Sequence, residues 1–292
     1  MYILENKDLK ITMNEKGAEL TSIMHDGKEY LWNADPKYWG RCAPVLFPFV
    51  GSVNGGTYLY EGKEYKMGQH GFAIDNMFTM CEQTENEVWF CLKDTEDTYV
   101  NYPFHFALYI GYVLEGKKLS VKWKVENTDT KELLFSIGGH PAFMCPIDGC
   151  GKQTDYSLLL KKHGQAVQEV TVGVLADGLL SEETFTLQTV DGLRKIDETM
   201  FDRDALIIEK QQLDEVSLVD SDGTPYVTVK FDTPLMGIWS PAKKQAPFVC
   251  IEPWYGRCDR RRFDGELGER EYGNRLEVGA CFQGGFDIII DN

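Results

Sequence analysis

Turn residues punctuate this chain at short intervals, with apolar and polar positions tending to alternate between them. MHDGKEYLW, YLYEGKEYKM, YVLEGKKLSVKW and LVDSDGTPYVTVKF each set a glycine-containing turn between runs rich in Tyr, Val, Leu and Trp, the pattern of β-hairpins. LSVKWKV and YVTVKF alternate with period two, as half-buried strands do. Helical periodicity is scarce: SEETFTLQTV and KQQLDEV could each hold a turn or two at most. No Gly/Ser linker, fixed-period repeat or low-complexity tract interrupts the chain. The pattern predicts an all-β protein, one large domain over residues 1–292, built from two stacked antiparallel sheets.

Composition supports a large core, since 43% of the 292 residues are hydrophobic and 12% are aromatic. Thirty basic against 46 acidic residues give a formal charge of −16. That disfavours nucleic acid and anionic lipid, which are bound through cationic surface, and leaves a small molecule as the expected partner. The N-terminal MYILENKDLKITMNEKG has neither a basic stretch nor a long apolar one, so no secretory signal is expected. The apolar stretch APVLFPFVG is broken by two prolines and is about half the length of a membrane span. Eight cysteines stand at irregular spacings; the nearest pair, Cys145 and Cys150, forms a C-x4-C that suits neither redox nor zinc chemistry. Reduced thiols and a cytoplasmic location are expected.

Candidate chemistry begins with the five histidines, His25, His70, His105, His140 and His163. His70 in MGQHGFAID and His140 in SIGGHPAF lie beside glycines, where a ligand or backbone can approach closely. The other three read as ordinary surface or core residues. In APFVCIEPWYG an apolar run carries Glu252 into what reads as a Pro-Trp-Tyr-Gly turn. A carboxylate leaving a buried strand is costly unless it is paired or working, and Trp254 beside it suits the C–H face of a sugar. Two histidines and a glutamate fit either acid–base catalysis or a two-His-one-carboxylate metal site built from His70, His140 and Glu252. Spacing leaves both open.

FPFVG, GGTYLYEGKEYKMGQHGFA, GGHPAF and GIWSPAKKQAPFVCIEPWYG occur in that order. On these segments the chain resembles the aldose 1-epimerase (galactose mutarotase) superfamily, most nearly its bacterial LacX-like branch. The likeness extends to the C-terminal EVGACFQGGFDIII. The resemblance implies a β-supersandwich and the cofactor-free exchange of α and β anomers of a hexose or related sugar. It also implies roles: His140 as general acid, Glu252 as general base, and His70, Arg41 (in WGRCAPVLFP), Asp204 (in FDRDALI) and Trp254 as substrate contacts. No metal or cofactor is expected, and the protein is expected to be a monomer or homodimer. Two departures bear on the substrate. Where relatives often read FPxxGR and HGFAR, this chain has Ser52 and Ile74, and after the glutamate motif it carries Arg257, Arg260, Arg261 and Arg262. A hexose-6-phosphate 1-epimerase and a sugar-binding protein without turnover are therefore kept as alternatives.

Overall fold

The computed structural model describes residues 1–291 and is almost entirely antiparallel β. Sheets of ten and eight strands dominate, with a four-stranded sheet and two two-stranded ones beside them. The hairpins expected from the turn signals are present. Leu20–His25 turns into Lys28–Glu29, Thr57–Tyr60 into Lys63–Lys66, Phe106–Glu115 into Lys118–Asn127, and Glu215–Val219 into Pro225–Phe231.

The helical expectations fare differently. SEETFTLQTV lies largely within the strand Leu179–Gln188, paired with Glu169–Ala176 at an edge of the eight-stranded sheet. Its exposed, threonine-bearing stretch suits an edge strand better than a helix. KQQLDEV forms a turn, with Lys210 and Gln211 at positive φ, before the strand at Glu215. The single α-helix among the described residues is Glu96–Asn101. Thr95 caps it by accepting the Thr98 N–H at 3.2 Å, and Glu96 and Asp97 stand at its positive end.

The two large sheets press together where the site is built. Trp123 lies on the strand Lys118–Asn127 and Phe286 on Cys281–Ile290, both in the ten-stranded sheet. Both meet Gly139 of the smaller sheet: a Cβ at Gly139 would stand 2.6 Å from the Phe286 ring and 3.4 Å from Trp123. The second glycine of SIGGHPAF is thus the space into which the core packs, and the next residue, His140, falls on the opposite face of its strand.

Candidate active site

Ile137–Gly139 and Ala142–Met144 pair with the same neighbour, Phe248–Tyr255, in one continuous register. Gly138 faces Trp254 and Ala142 faces Cys250, so His140, in the gap between, stands directly opposite Glu252. The gap has a chemical cause. Pro141 and Pro253 cannot donate to a ladder, and each also holds the residue before it in an extended conformation. Those preceding residues are His140 and Glu252. Glu252 therefore sits in the middle of a buried strand and not in a turn as the sequence pattern suggested.

His140 Nε2 lies 3.3 Å from Glu252 Oε2. The imidazole is stacked on Trp39 (centroids 4.7 Å apart, planes at 27°) and flanked edge-on by Trp239 at 5.4 Å and His70 at 5.6 Å. This aromatic enclosure fixes the ring's plane and removes water from it. Burial first, and the neighbouring His70 second, drive the His140 pKa well below the ordinary histidine value. Burial likewise drives the Glu252 carboxyl well above the usual carboxylate range, with the Asp204 charge adding to the shift. Burial thus favours the neutral form of each group, and the contacting pair can share one proton.

His70 has a positive φ of 67° and is tied to Gly51 in both directions. Its N–H donates to the Gly51 carbonyl at 2.9 Å, and the Gly51 N–H donates to His70 Nδ1 at 3.1 Å. With Nδ1 occupied as an acceptor, a neutral ring carries its proton on Nε2. Burial, then the Arg41 charge, lowers the His70 pKa to about 4. His70 is built to donate a hydrogen bond rather than to take up a proton.

These groups open into a cleft of about 490 Å³ that Arg41, Asp204 and Trp254 also line. All six residues singled out from the sequence meet there. Arg41 is held by Asp75 Oδ1 at 3.0 Å and the Ile74 carbonyl at 3.3 Å. Trp254 lines the cleft with its indole packed against Gly138 and Gly237, which leave it room. Its buried Nε1 makes no hydrogen bond of ideal geometry, but the indole N–H is directed at Glu252 and opposes the effect of burial on that carboxyl. Trp39 and Trp239 line the cleft as well, and sequence reasoning missed both. Both were in plain view, Trp39 two positions before Arg41 and Trp239 within GIWSP.

The remaining histidines lie elsewhere: His25 Nδ1 is 2.6 Å from the Asp8 carbonyl, His105 Nδ1 is 2.6 Å from Asp94, and His163 is paired with Asp214 at 3.0 Å. None of Arg257, Arg260, Arg261 and Arg262 lines the cleft. Arg257 is buried against Glu209 at 2.6 Å and against Glu271, Arg260 bonds Glu271 at 2.8 Å, and Arg261 lies 3.8 Å from Asp177. The donors that come together within 4.8 Å are His140, Cys250 and Glu252, and not the set with His70 raised from the sequence.

Comparison with known proteins gives a consistent picture. Residues 1–266 match the family model described as aldose 1-epimerase. The plasmid and chromosomal LacX proteins of Lactococcus lactis subsp. lactis are 34% and 33% identical over 263 residues, which is 87% of this chain and of each relative. A galactose mutarotase related enzyme from Lactobacillus acidophilus has the same fold, with a TM-score of 0.93 at 35% identity over 100% of this chain and 97% of that one. A galactose mutarotase-like protein from Lactobacillus casei ATCC 334 gives 0.90 at 28% identity over 99% of each.

Proposed function

The chain belongs to the aldose 1-epimerase family, and from that membership we propose that it catalyses the interconversion of α and β anomers of an aldose. The observation that carries this reading is the 3.3 Å contact between His140 Nε2 and Glu252 Oε2 inside a cleft lined by aromatic rings. Anomer exchange needs one proton removed from O1 and one delivered to the ring oxygen O5, and the pair holds one proton between two sites.

In the active arrangement Glu252 is the carboxylate and His140 the imidazolium. Glu252 takes the O1 proton as the C1–O5 bond breaks, while His140 Nε2 delivers its proton to O5. The open-chain aldehyde turns about C1–C2, and the same transfers run backwards on the other face of the carbonyl. At the end the pair has recovered its starting state, so the cycle consumes nothing. Each positioned proton-transfer group typically contributes roughly 10²–10⁴-fold.

His70 Nε2–H and Arg41 are the donors available to sugar hydroxyls, Asp204 is an acceptor at the rim, and Trp39 and Trp239 supply apolar faces. Polarimetry on freshly dissolved α-glucose and α-galactose tests the proposal. We expect the protein to accelerate the approach to anomeric equilibrium in proportion to its concentration; binding of these sugars without acceleration would identify a sugar-binding protein instead.

A further inference from the structure

Cys250 has no part in the chemistry above, yet it stands two residues before Glu252 on the same face of one strand. It is fully buried, carries a free thiol, and brings Sγ within 4.8 Å of donor atoms of both His140 and Glu252. Imidazole, thiolate and carboxylate are the usual ligand types for zinc, which takes four ligands tetrahedrally.

One of the three ligand spacings already fits. Two ligands about 2.05 Å from a tetrahedral zinc lie about 3.3 Å apart, and His140 Nε2 and Glu252 Oε2 are 3.3 Å apart already. His140 and Glu252 line the cleft whereas Cys250 lies beneath it, so a bound ion would have its fourth position toward the cleft. A divalent ion with one thiolate, one carboxylate and a neutral imidazole carries no net charge, which removes the main cost of burying it. The thiolate selects a soft, zinc-type cation over magnesium, which takes oxygen ligands.

We propose that His140, Cys250 and Glu252 form an inhibitory site for a thiophilic divalent cation of the zinc type. The inhibition rests on the proposed function, because the ion would occupy the acid and the base together; the binding does not. Occupancy would switch the pair off without closing the cleft to sugar.

Cobalt(II) serves as the probe, in a background where the exposed Cys81, Cys150 and Cys281 are changed to serine. One equivalent should give a thiolate-to-cobalt charge-transfer band and tetrahedral visible bands, and zinc should bleach both. Cys250→Ala should abolish the thiolate band while leaving metal-free anomer exchange close to that of the parent. Loss of an outer-shell partner alone typically costs roughly 10–100-fold in metal affinity, so loss of the sulfur should raise the zinc concentration for half-inhibition at least about 100-fold. No thiolate band in the parent protein, or equal zinc inhibition in parent and Cys250→Ala, overturns the site. Should the protein lack anomer exchange altogether, the functional reading fails while the cobalt spectrum still decides whether the metal site exists.

Discussion

The indole of Trp254 occupies the space where residue 237 would carry a side chain. A Cβ on Gly237 would stand 2.3 Å from Trp254 Cη2, and on the other side a Cβ on Gly138 would stand 2.4 Å from its Cδ1. Gly237 is also the residue paired with Glu252. The carboxylate thus has His140 opposite on one flank and bare backbone on the other, with Trp254 lying over that backbone. The packing that seats Trp254 and the packing that seats Glu252 are the same.

Gly237→Ala should therefore destabilise the fold by about 1–3 kcal/mol, the usual range for an overpacked core. Chemical denaturation measures it. Neither Gly237 nor Gly40 has a positive φ, and Gly40 has nothing within 4 Å of its missing Cβ, so Gly40→Ala should be silent. Combining Gly237→Ala with Trp254→Phe should cost less than the sum of the two, since the residues share one space. Strict additivity would show that the clash is relieved elsewhere.

Glu252→Gln and His140→Asn should each lower kcat by roughly 10²–10⁴-fold, because each removes one of two obligatory proton transfers. The double variant should be scarcely worse than either single one, as with groups that work as a unit. Polarimetry gives the rates, and circular dichroism confirms that the proteins remain folded. A single variant with near-normal turnover would remove that residue from the mechanism.

His70 makes stability depend on pH in a definite direction. An unfolded histidine takes up its proton near pH 6.5, whereas His70 in the fold does so only near 4. Between those values the unfolded chain binds more protons, so this contribution is present above pH 6.5 and is lost as pH falls toward 4. His140 acts in the same direction. Glu252, whose pKa is raised, acts oppositely: its contribution is present below the unfolded carboxyl value and is lost as pH rises. Comparing variants separates these effects. The drop in unfolding midpoint between pH 7 and pH 5 should be smaller for His70→Gln than for the parent, and an unchanged drop would mean that His70 is not held neutral.

The fold class was legible because hairpin turns and period-two alternation are local signals. The site was legible mainly through the order of its motifs; its geometry was not. Nothing near His140 in sequence says that it stands opposite Glu252, because that depends on a register shared by two short strands on either side of Pro141. Glu252 was misplaced into a turn for a related reason. A proline after an apolar run usually ends a strand, but here it faces another proline-broken segment and the strand continues. The short helix after Thr95 escaped notice because six residues are too few for an amphipathic repeat to show. Trp39 and Trp239 went unremarked because an aromatic ring lining a cleft has the same composition as one in a core.

The cleft's charges point to a neutral substrate. Arg41 is the one arginine or lysine among its lining residues, and it is already bonded to Asp75; the carboxyl groups of Asp75, Asp204 and Glu252 line the same space. Ile74 lines it too and offers no charge. The run from Arg257 to Arg262 does not repair this, since Arg257, Arg260 and Arg261 are turned toward Glu209, Glu271 and Asp177. A phosphate dianion entering here would meet carboxylates and an arginine whose fork is partly occupied, and would lose the bidentate contact that favours such groups. We therefore expect kcat/KM for glucose or galactose to exceed that for the matching 6-phosphate at fixed ionic strength. Arg260→Ala with Arg261→Ala should leave the ratio unchanged, whereas Asp75→Asn, which frees the Arg41 guanidinium, should narrow it. A higher kcat/KM for the phosphates, abolished by the arginine double variant, would mean that the run swings into the cleft when substrate binds and that its carboxylate partners are only its resting place.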